Sequence, residues 1–259
     1  MKHFFCRNLV FRPTGSGCAI VVPLSINNYF TCYEMISLRH LNKYLGAYPI
    51  YFIAPKGSTI AYEHHKIIFF PKRFFGSAKS HGKLLLSIQF YKKFSAYKYI
   101  LFYHLDSLVF SSNLDQWCDR DFDYVGAPWL QCKDSPWVTS ARVGNGGFAL
   151  LKIQKAVEIL SKYYRKNPFI YGTSIIEVCW FILYLEKFID YFNWMDQKLM
   201  TKVKNLRAYL EKKLPDQNND IFWSDIANNF DPEFRVASFE DGIKFAFEVC
   251  PEDCFIANS

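Results

Sequence analysis

Several signals that would settle a function at once are missing from these 259 residues. No apolar run is long enough to cross a bilayer; the best candidate, around 175–192, is broken by Glu177, Glu186, Lys187 and Asp190. The opening MKHFFCRNLVFRP is interrupted by Arg7 and followed by no small-residue cleavage site, so it does not read as a signal peptide. A cytoplasmic protein is expected. The eight cysteines contain no Cys-x-x-Cys pair, and the closest two, Cys250 and Cys254, have no histidine nearby. A zinc site is therefore not expected, and the cysteines read as reduced, mostly buried thiols. Internal repeats, low-complexity tracts, a Gly-x-Gly-x-x-Gly loop and a Walker lysine are all lacking. The net charge of +7 is scattered in small clusters such as Lys92-Lys93 and Lys212-Lys213 rather than gathered into a stripe with interleaved aromatics. Nucleic acid is thus not an expected partner. Solvated helix faces account for most of this charge, and attraction to anionic headgroups or phosphates is the sharper reading.

Apolar and aromatic residues are plentiful instead, at 51% and 19%, enough for a sizeable core and against disorder. CAIVVPL (18–24), YPIYFIAP (48–55), HKIIFFP (65–71) and YKYILFYHL (97–105) are short apolar runs that predict buried strands. Between them, 29–45 and 80–95 carry apolar residues at helical spacing. Continuous apolar strands alternating with helices indicate an α/β fold, its largely parallel sheet covered on both faces. Later, 122–130 and 142–152 predict short strands among Gly, Pro and Trp, then a helix over 153–164 and a helical, aromatic-rich region over 174–213. The expected organisation is one domain over 18–256, with a ligand-binding half to about residue 115 and a second half from 116.

In such sheets ligands bind at the carboxyl ends of the strands, and YKYILFYHLDSLVF (97–110) carries Asp106 there. A lone acid at a strand end is either a cap or a site. The order acid, small polar residue, apolar residues and turn has the rhythm of a nucleotide-sugar metal loop. That loop ordinarily reads Asp-x-Asp; here it reads His104-x-Asp106. One carboxylate plus substrate phosphates suffices for Mg²⁺ or Mn²⁺. His104 is then either a nucleotide contact or a packed strand residue. VGNGG (143–147) is either a turn with positive φ or a place where Gly144, Asn145, Gly146 and Gly147 bring backbone and an amide against a sugar. In NNDIFWSD (218–225), Asp220 is either an N-cap or a general base, with Asp225 the more solvated alternative. Trp129 and Trp137 flank the intervening loop as stacking platforms or anchors.

Taken in order, YILFYHLDSLVF, DYVGAPW, RVGNGGFALLK, NDIFWSDI and IKFAFEV resemble a family of bacterial glycosyltransferase-like domains related in fold to the GT-A nucleotide-sugar-dependent transferases. The resemblance spans about 18–249. It implies a GT-A-like, Rossmann-like nucleotide-binding mixed sheet, a nucleotide-sugar donor (a UDP-sugar first), and a divalent metal, Mn²⁺ or Mg²⁺. A glycan or lipid-linked acceptor is expected with it, as in bacterial polysaccharide biosynthesis, and the basic, aromatic balance together with such acceptors predicts peripheral association with the inner face of a membrane. By that resemblance Asp106 holds the metal, His104 and 144–147 face the donor, and Asp220 is the base of an inverting transferase. The chain departs from the pattern twice: Asn219-Asp220 stands where Glu-Asp is common, and the ending CPEDCFIANS lacks a histidine. A catalytically degenerate binding protein of the same fold is the first alternative. A nucleotidyltransferase ranks last, because CAIVVPLSINN has no Gly-rich basic signature.

Overall fold

The run Ala19–Val22 is wholly buried, as β-branched residues flanked by two neighbouring strands should be. It forms the centre of β1 (Cys18–Pro23). The computed structural model describes residues 17–24, 29–59, 66–133, 135–136, 138–166 and 218–248. Strand β1 pairs in parallel with β2 (Ile50–Pro55) on one side and β4 (Tyr99–Tyr103) on the other. Strand β3 (Lys66–Phe70) extends the sheet beyond β2, also in parallel. Past β4 the direction reverses: β8 (Phe148–Lys152) is antiparallel to β4, and β5 (Tyr124–Gly126) is antiparallel to β8. The order is β3-β2-β1-β4-β8-β5, and a two-stranded ribbon of β6 (Pro128–Trp129) and β7 (Arg142–Val143) stands beside it. The result is a mixed α/β sheet flanked by helices.

Helix α1 (Cys32–Leu45) starts with a capping box, in which the Thr31 hydroxyl accepts from the Glu34 amide and the Glu34 carboxylate accepts from the Thr31 amide. It buries Leu38, Leu41 and Leu45, the i, i+3, i+7 spacing of one face. The helix expected over 80–95 is two helices, α2 (Ala78–Leu85) and α3 (Ile88–Lys92). In an unbroken helix the Leu85 carbonyl would take the Gln89 amide; here it takes the buried Tyr91 hydroxyl at 2.6 Å. Tertiary packing of one tyrosine thus replaces a turn of helix. The segment 142–152 likewise splits into β7 and β8, with the glycine loop between them. Helix α4 (Leu114–Asp119) precedes β5, and α5 (Ile153–Lys166) follows β8.

The chain divides into two compact units, Met1–Ile159 with Asn218–Ser259, and Leu160–Gln217. Of the second, only helical residues 160–166 are described; the helical region expected over 174–213 lies outside the described residues. Trp137, Cys250, Cys254 and the ending CPEDCFIANS lie outside them too. The expectation of reduced, mostly buried thiols holds for Cys18 and Cys118, which are free and buried. Cys32 is free but exposed. Cys132 corrects it outright, being disulfide-bonded. Among the described residues no helix is long and apolar enough to cross a membrane.

Candidate functional site

The four parallel strands run in one direction, and the sheet grows one way from β1 through β2 to β3 and the other way into β4. That change of direction between β1 and β4 leaves a crevice at their carboxyl ends, where open α/β sheets bind ligands. Four separate segments arrive at this edge. His104, Leu105 and Asp106 follow β4 directly. Because β8 is antiparallel and Tyr103 pairs with Phe148, residues 144–147 enter at the same edge. The Gly147 carbonyl accepts the His104 amide at 2.8 Å, tying the two segments together. The third arrival is 218–220, and the fourth is the end of α7 (Phe239–Phe245). Together they enclose a cleft of about 740 Å³ lined by His104, Asp106, Asn145, Gly147, Asp220 and Lys244, among others. That volume suits a small-molecule ligand.

The segment carrying Asp106 is fastened from below. The Ser37 hydroxyl of α1 meets the Tyr103 hydroxyl at 2.9 Å and donates to the Ser107 carbonyl at 2.6 Å. His40 Nδ1 donates to the Val109 carbonyl at 3.0 Å. Asp106 itself is exposed and accepts no capping hydrogen bond among the described residues. The cap reading is therefore unsupported, and Asp106 lines the cleft.

His104 is packed, and more than packed. Its ring stands edge-on to that of His81 from α2, with centroids 5.8 Å apart. The Nε2 atoms of both rings are buried without a hydrogen-bond partner. Burial, and then the neighbouring His104, lowers the His81 pKa to about 4. Burial also lowers that of His104, against the opposing pull of Asp106. Both imidazoles are thereby biased toward the neutral form. Sequence reasoning missed His81, because a single histidine on a short helix carries no pattern of its own.

The glycine loop is not a positive-φ turn; among the described residues the glycines with positive φ are Gly17, Gly57 and Gly76. A side chain on Gly144 would overlap the Trp129 indole, and one on Gly146 would overlap the Asp220 carboxylate. The glycines therefore admit two of the chain's own side chains. Tyr124, buried in the sheet, fixes the loop by placing its hydroxyl 3.1 and 3.2 Å from the Gly144 and Asn145 carbonyls. Asn145 Oδ1 accepts the Gly147 amide at 2.7 Å, and the residue lines the cleft. Trp129 lies under the Arg142 guanidinium, 5.2 Å from the ring centre, in the arrangement of an anchor.

Asp220 is not the cap of its helical turn either. Asn218 caps α6 (Asn219–Ile221), accepting the Asp220 amide at 2.9 Å. Beyond it the helix widens into a π turn, Phe222–Ile226, whose Phe222 and Trp223 are buried and pin the segment. Trp223 meets Tyr91 of α3 edge-on at 6.0 Å. Asp220 is thereby held half-buried in the cleft wall, its pKa raised to about 6. Burial is the chief cause, partly offset by the Gly146 amide, reinforced by Glu248, and relieved by the Asn219 side chain. That side chain donates to Asp220 Oδ1 at 2.6 Å. A glutamate at 219 would add repulsion where the asparagine adds a donor. Asp225, by contrast, pairs with Arg142 at 3.2 Å.

Residues 64–259 match the model of the family described as "Protein of unknown function (DUF5672)". The chain belongs to that family. The DUF5672 match begins just before β3, so β1, α1 and β2 stand outside it while every arm of the cleft except α1's contribution stands within. No curated protein and no solved structure matches the chain.

A divalent metal can be tested against the donor set. Among the described residues no group of three or more His, Cys, Asp or Glu could hold a metal ion. Asp106 is one exposed carboxylate lining the cleft. The set does not fit a metal held by protein alone. It does fit a Mg²⁺ or Mn²⁺ ion shared with a substrate diphosphate, for which one or two carboxylates serve.

Proposed function

We propose that this DUF5672 protein is a glycosyltransferase of GT-A type that moves a sugar from a nucleotide-sugar donor to a hydroxyl of a glycan or lipid-linked acceptor, with inversion. The observation that carries this reading is the meeting, in one cleft at the strand ends, of a free carboxylate (Asp106) and a second carboxylate (Asp220) with its pKa raised to about 6. Two acids in different environments can divide the work, one accepting a proton and the other holding a cation. Asp220 is ionised at neutral pH yet basic enough to accept the acceptor's hydroxyl proton. The Gly146 amide and the Asn219 side chain orient it. Asp106, in reach of the same space, would hold a divalent ion jointly with the donor's diphosphate, and that ion would neutralise charge on the departing nucleoside diphosphate. Lys244 in the cleft wall adds a positive charge toward the same end. Asn145, which lines the cleft, would donate to a sugar hydroxyl.

The test is release of nucleoside diphosphate from a panel of nucleotide sugars with and without Mn²⁺. Asp106→Asn should reduce release at least a hundredfold, with circular dichroism unchanged. A binding protein of the same fold is the second reading, favoured by the lack of a second acid at position 104. It predicts saturable nucleotide binding with no release by the wild type.

A further inference from the structure

Charge is unevenly placed along this chain. Residues 35–105 carry eleven Lys and Arg against one acid, Glu63, so the remaining residues hold more acid than base. Part of that excess stands at the carboxyl ends of the parallel strands. Lys56 follows β2, Lys72 and Arg73 follow β3, and Lys79 is in the first turn of α2. All four are exposed, and none is in an ion pair among the described residues. A methyl group placed on Gly57 would lie 3.7 Å from Lys72 Cε, so the bases after β2 and β3 belong to one patch. At the amino ends, by contrast, Lys98 and Lys152 are tied to Asp121.

Exposed apolar side chains keep to the same side. Tyr29, Tyr33 and Ile36 stand at the start of α1, and Phe69 is next to the end of β3. Tyr33, 82% exposed, borders a smaller cavity that shares His104 and Asp106 with the cleft. Among the described residues, the other exposed large apolar side chains line the cleft (Leu108, Phe110 and Phe247) or directly follow Asp220 (Ile221). Single exposed apolar residues need no explanation, but their gathering on one side of a molecule does. We infer that this side docks on an anionic lipid bilayer, with Lys56, Lys72 and Arg73 against the headgroups and Tyr33, Ile36 and Phe69 in the interfacial layer. The mixture of residues decides the partner. Anionic lipid attracts the bases, while tyrosine and exposed apolar side chains favour the layer between headgroups and acyl chains. A nucleic acid would use the bases and leave Ile36 and Leu108 without a role. A second copy joined two-fold through this patch would bring Lys72 and Arg73 toward their own equivalents. Glu34, the acid beside Tyr33, is engaged at the Thr31 amide. Because the cleft lies on this side, docking favours the lipid-linked acceptor over the glycan; that step rests on the transferase reading, and the docking itself does not.

Co-sedimentation of the wild-type protein with vesicles tests the docking. Vesicles of phosphatidylcholine alone are compared with vesicles containing about one third phosphatidylglycerol. Binding should be confined to the second kind and should weaken as salt is raised. Lys72→Gln with Arg73→Gln should weaken it about thirtyfold, each charge near such a surface contributing about fivefold. Tyr33→Ser with Phe69→Ser should weaken it about tenfold and leave its salt dependence unchanged. Lys43→Gln with Lys66→Gln removes two exposed bases, one in the last turn of α1 and one at the first residue of β3. That pair should change binding less than about threefold. Equal losses from the two pairs of charge substitutions would overturn the inference by reducing it to net charge. So would equal binding to both kinds of vesicle, binding to neither, or binding to a DNA duplex in place of vesicles. Nucleoside diphosphate release without vesicles should be the same in Lys72→Gln with Arg73→Gln as in the wild type. Its absence from a wild type that still binds vesicles would refute the transfer and leave the docking standing.

Discussion

At the scale of single residues, two carboxylates and two glycines govern the cleft. In the proposed transfer Asp220 would have to be ionised to take a proton, and its pKa is raised to about 6. The rate under limiting substrate should therefore climb with pH through about 6 and level off above it, as a pH–rate profile will show. A raised carboxylate pKa also means that the folded state penalises the charge. Asp220→Asn should accordingly abolish turnover while raising the melting temperature at neutral pH, a stability–function trade visible in one thermal scan. The glycines should separate in the same way. Gly146→Ala drives a methyl group into Asp220, so its loss should fall chiefly on turnover. Gly144→Ala meets the rigid Trp129 ring and should cost about 1–3 kcal/mol in urea denaturation.

At the scale of elements, the cleft depends on how the ends of strands are fastened. Tyr103 is the last residue of β4, and its hydroxyl lies 3.0 Å from the Ser107 carbonyl, above the Ser37 side chain. Tyr103→Phe should destabilise by about 1–2 kcal/mol, since buried polar partners lose a hydrogen bond while the ring stays. Hydrogen exchange in 104–110 should rise more than in β1. The strands were legible in the sequence because a strand covered on both faces is a continuous apolar run, and 18–24, 48–55, 65–71 and 97–105 are such runs. The place of Asp106 was legible for the same reason: it directly follows one of them, and it lines the cleft. The division of 80–95 was not, because it turns on where a tyrosine hydroxyl lands six residues back. Nor was the reason for two of the glycines. What they admit, Trp129 and Asp220, lies 15 residues before Gly144 and 74 after Gly146 in the sequence, and local pattern carries no record of either neighbour. The role of Asn218 as cap, freeing Asp220, was hidden by two adjacent asparagines of equal promise.

For the molecule as a whole, the charges that brace the sheet gather at the edge opposite the cleft. Asp121, before β5, is paired with Lys98 before β4 and Lys152 at the end of β8, each at 3.1 Å. Asp123, buried, takes Lys152 at 2.8 Å and the Arg235 amide at 2.9 Å. Burial of Asp121 would raise its pKa, but the hydrogen bonds from Lys98 and Lys152 outweigh it and bring the value to about 2. A carboxylate depressed in this way adds stability above its unfolded value near 3.8 and loses it as pH falls toward 2. Acid unfolding followed by circular dichroism should therefore steepen in that interval, and Asp121→Asn should flatten it. Half-exposure of Asp121 and salt screening keep the effect small.

The sheet order also dictates a schedule. Strand β5 joins the sheet only through β8, which is made more than twenty residues later, so a nascent chain that has emerged only as far as the β6–β7 ribbon has no edge on which to hang residues 124–126. The same late strand delivers the Gly147 carbonyl to His104 and Gly146 to Asp220. On the ribosome, the parallel core of β1 to β4 can set early, while the cleft is among the last things the chain completes. Released chains truncated just before Phe148 are expected to hold a protease-resistant β1–β4 core with 120–147 still cleavable, the signature of a cleft that cannot form before the chain is almost finished.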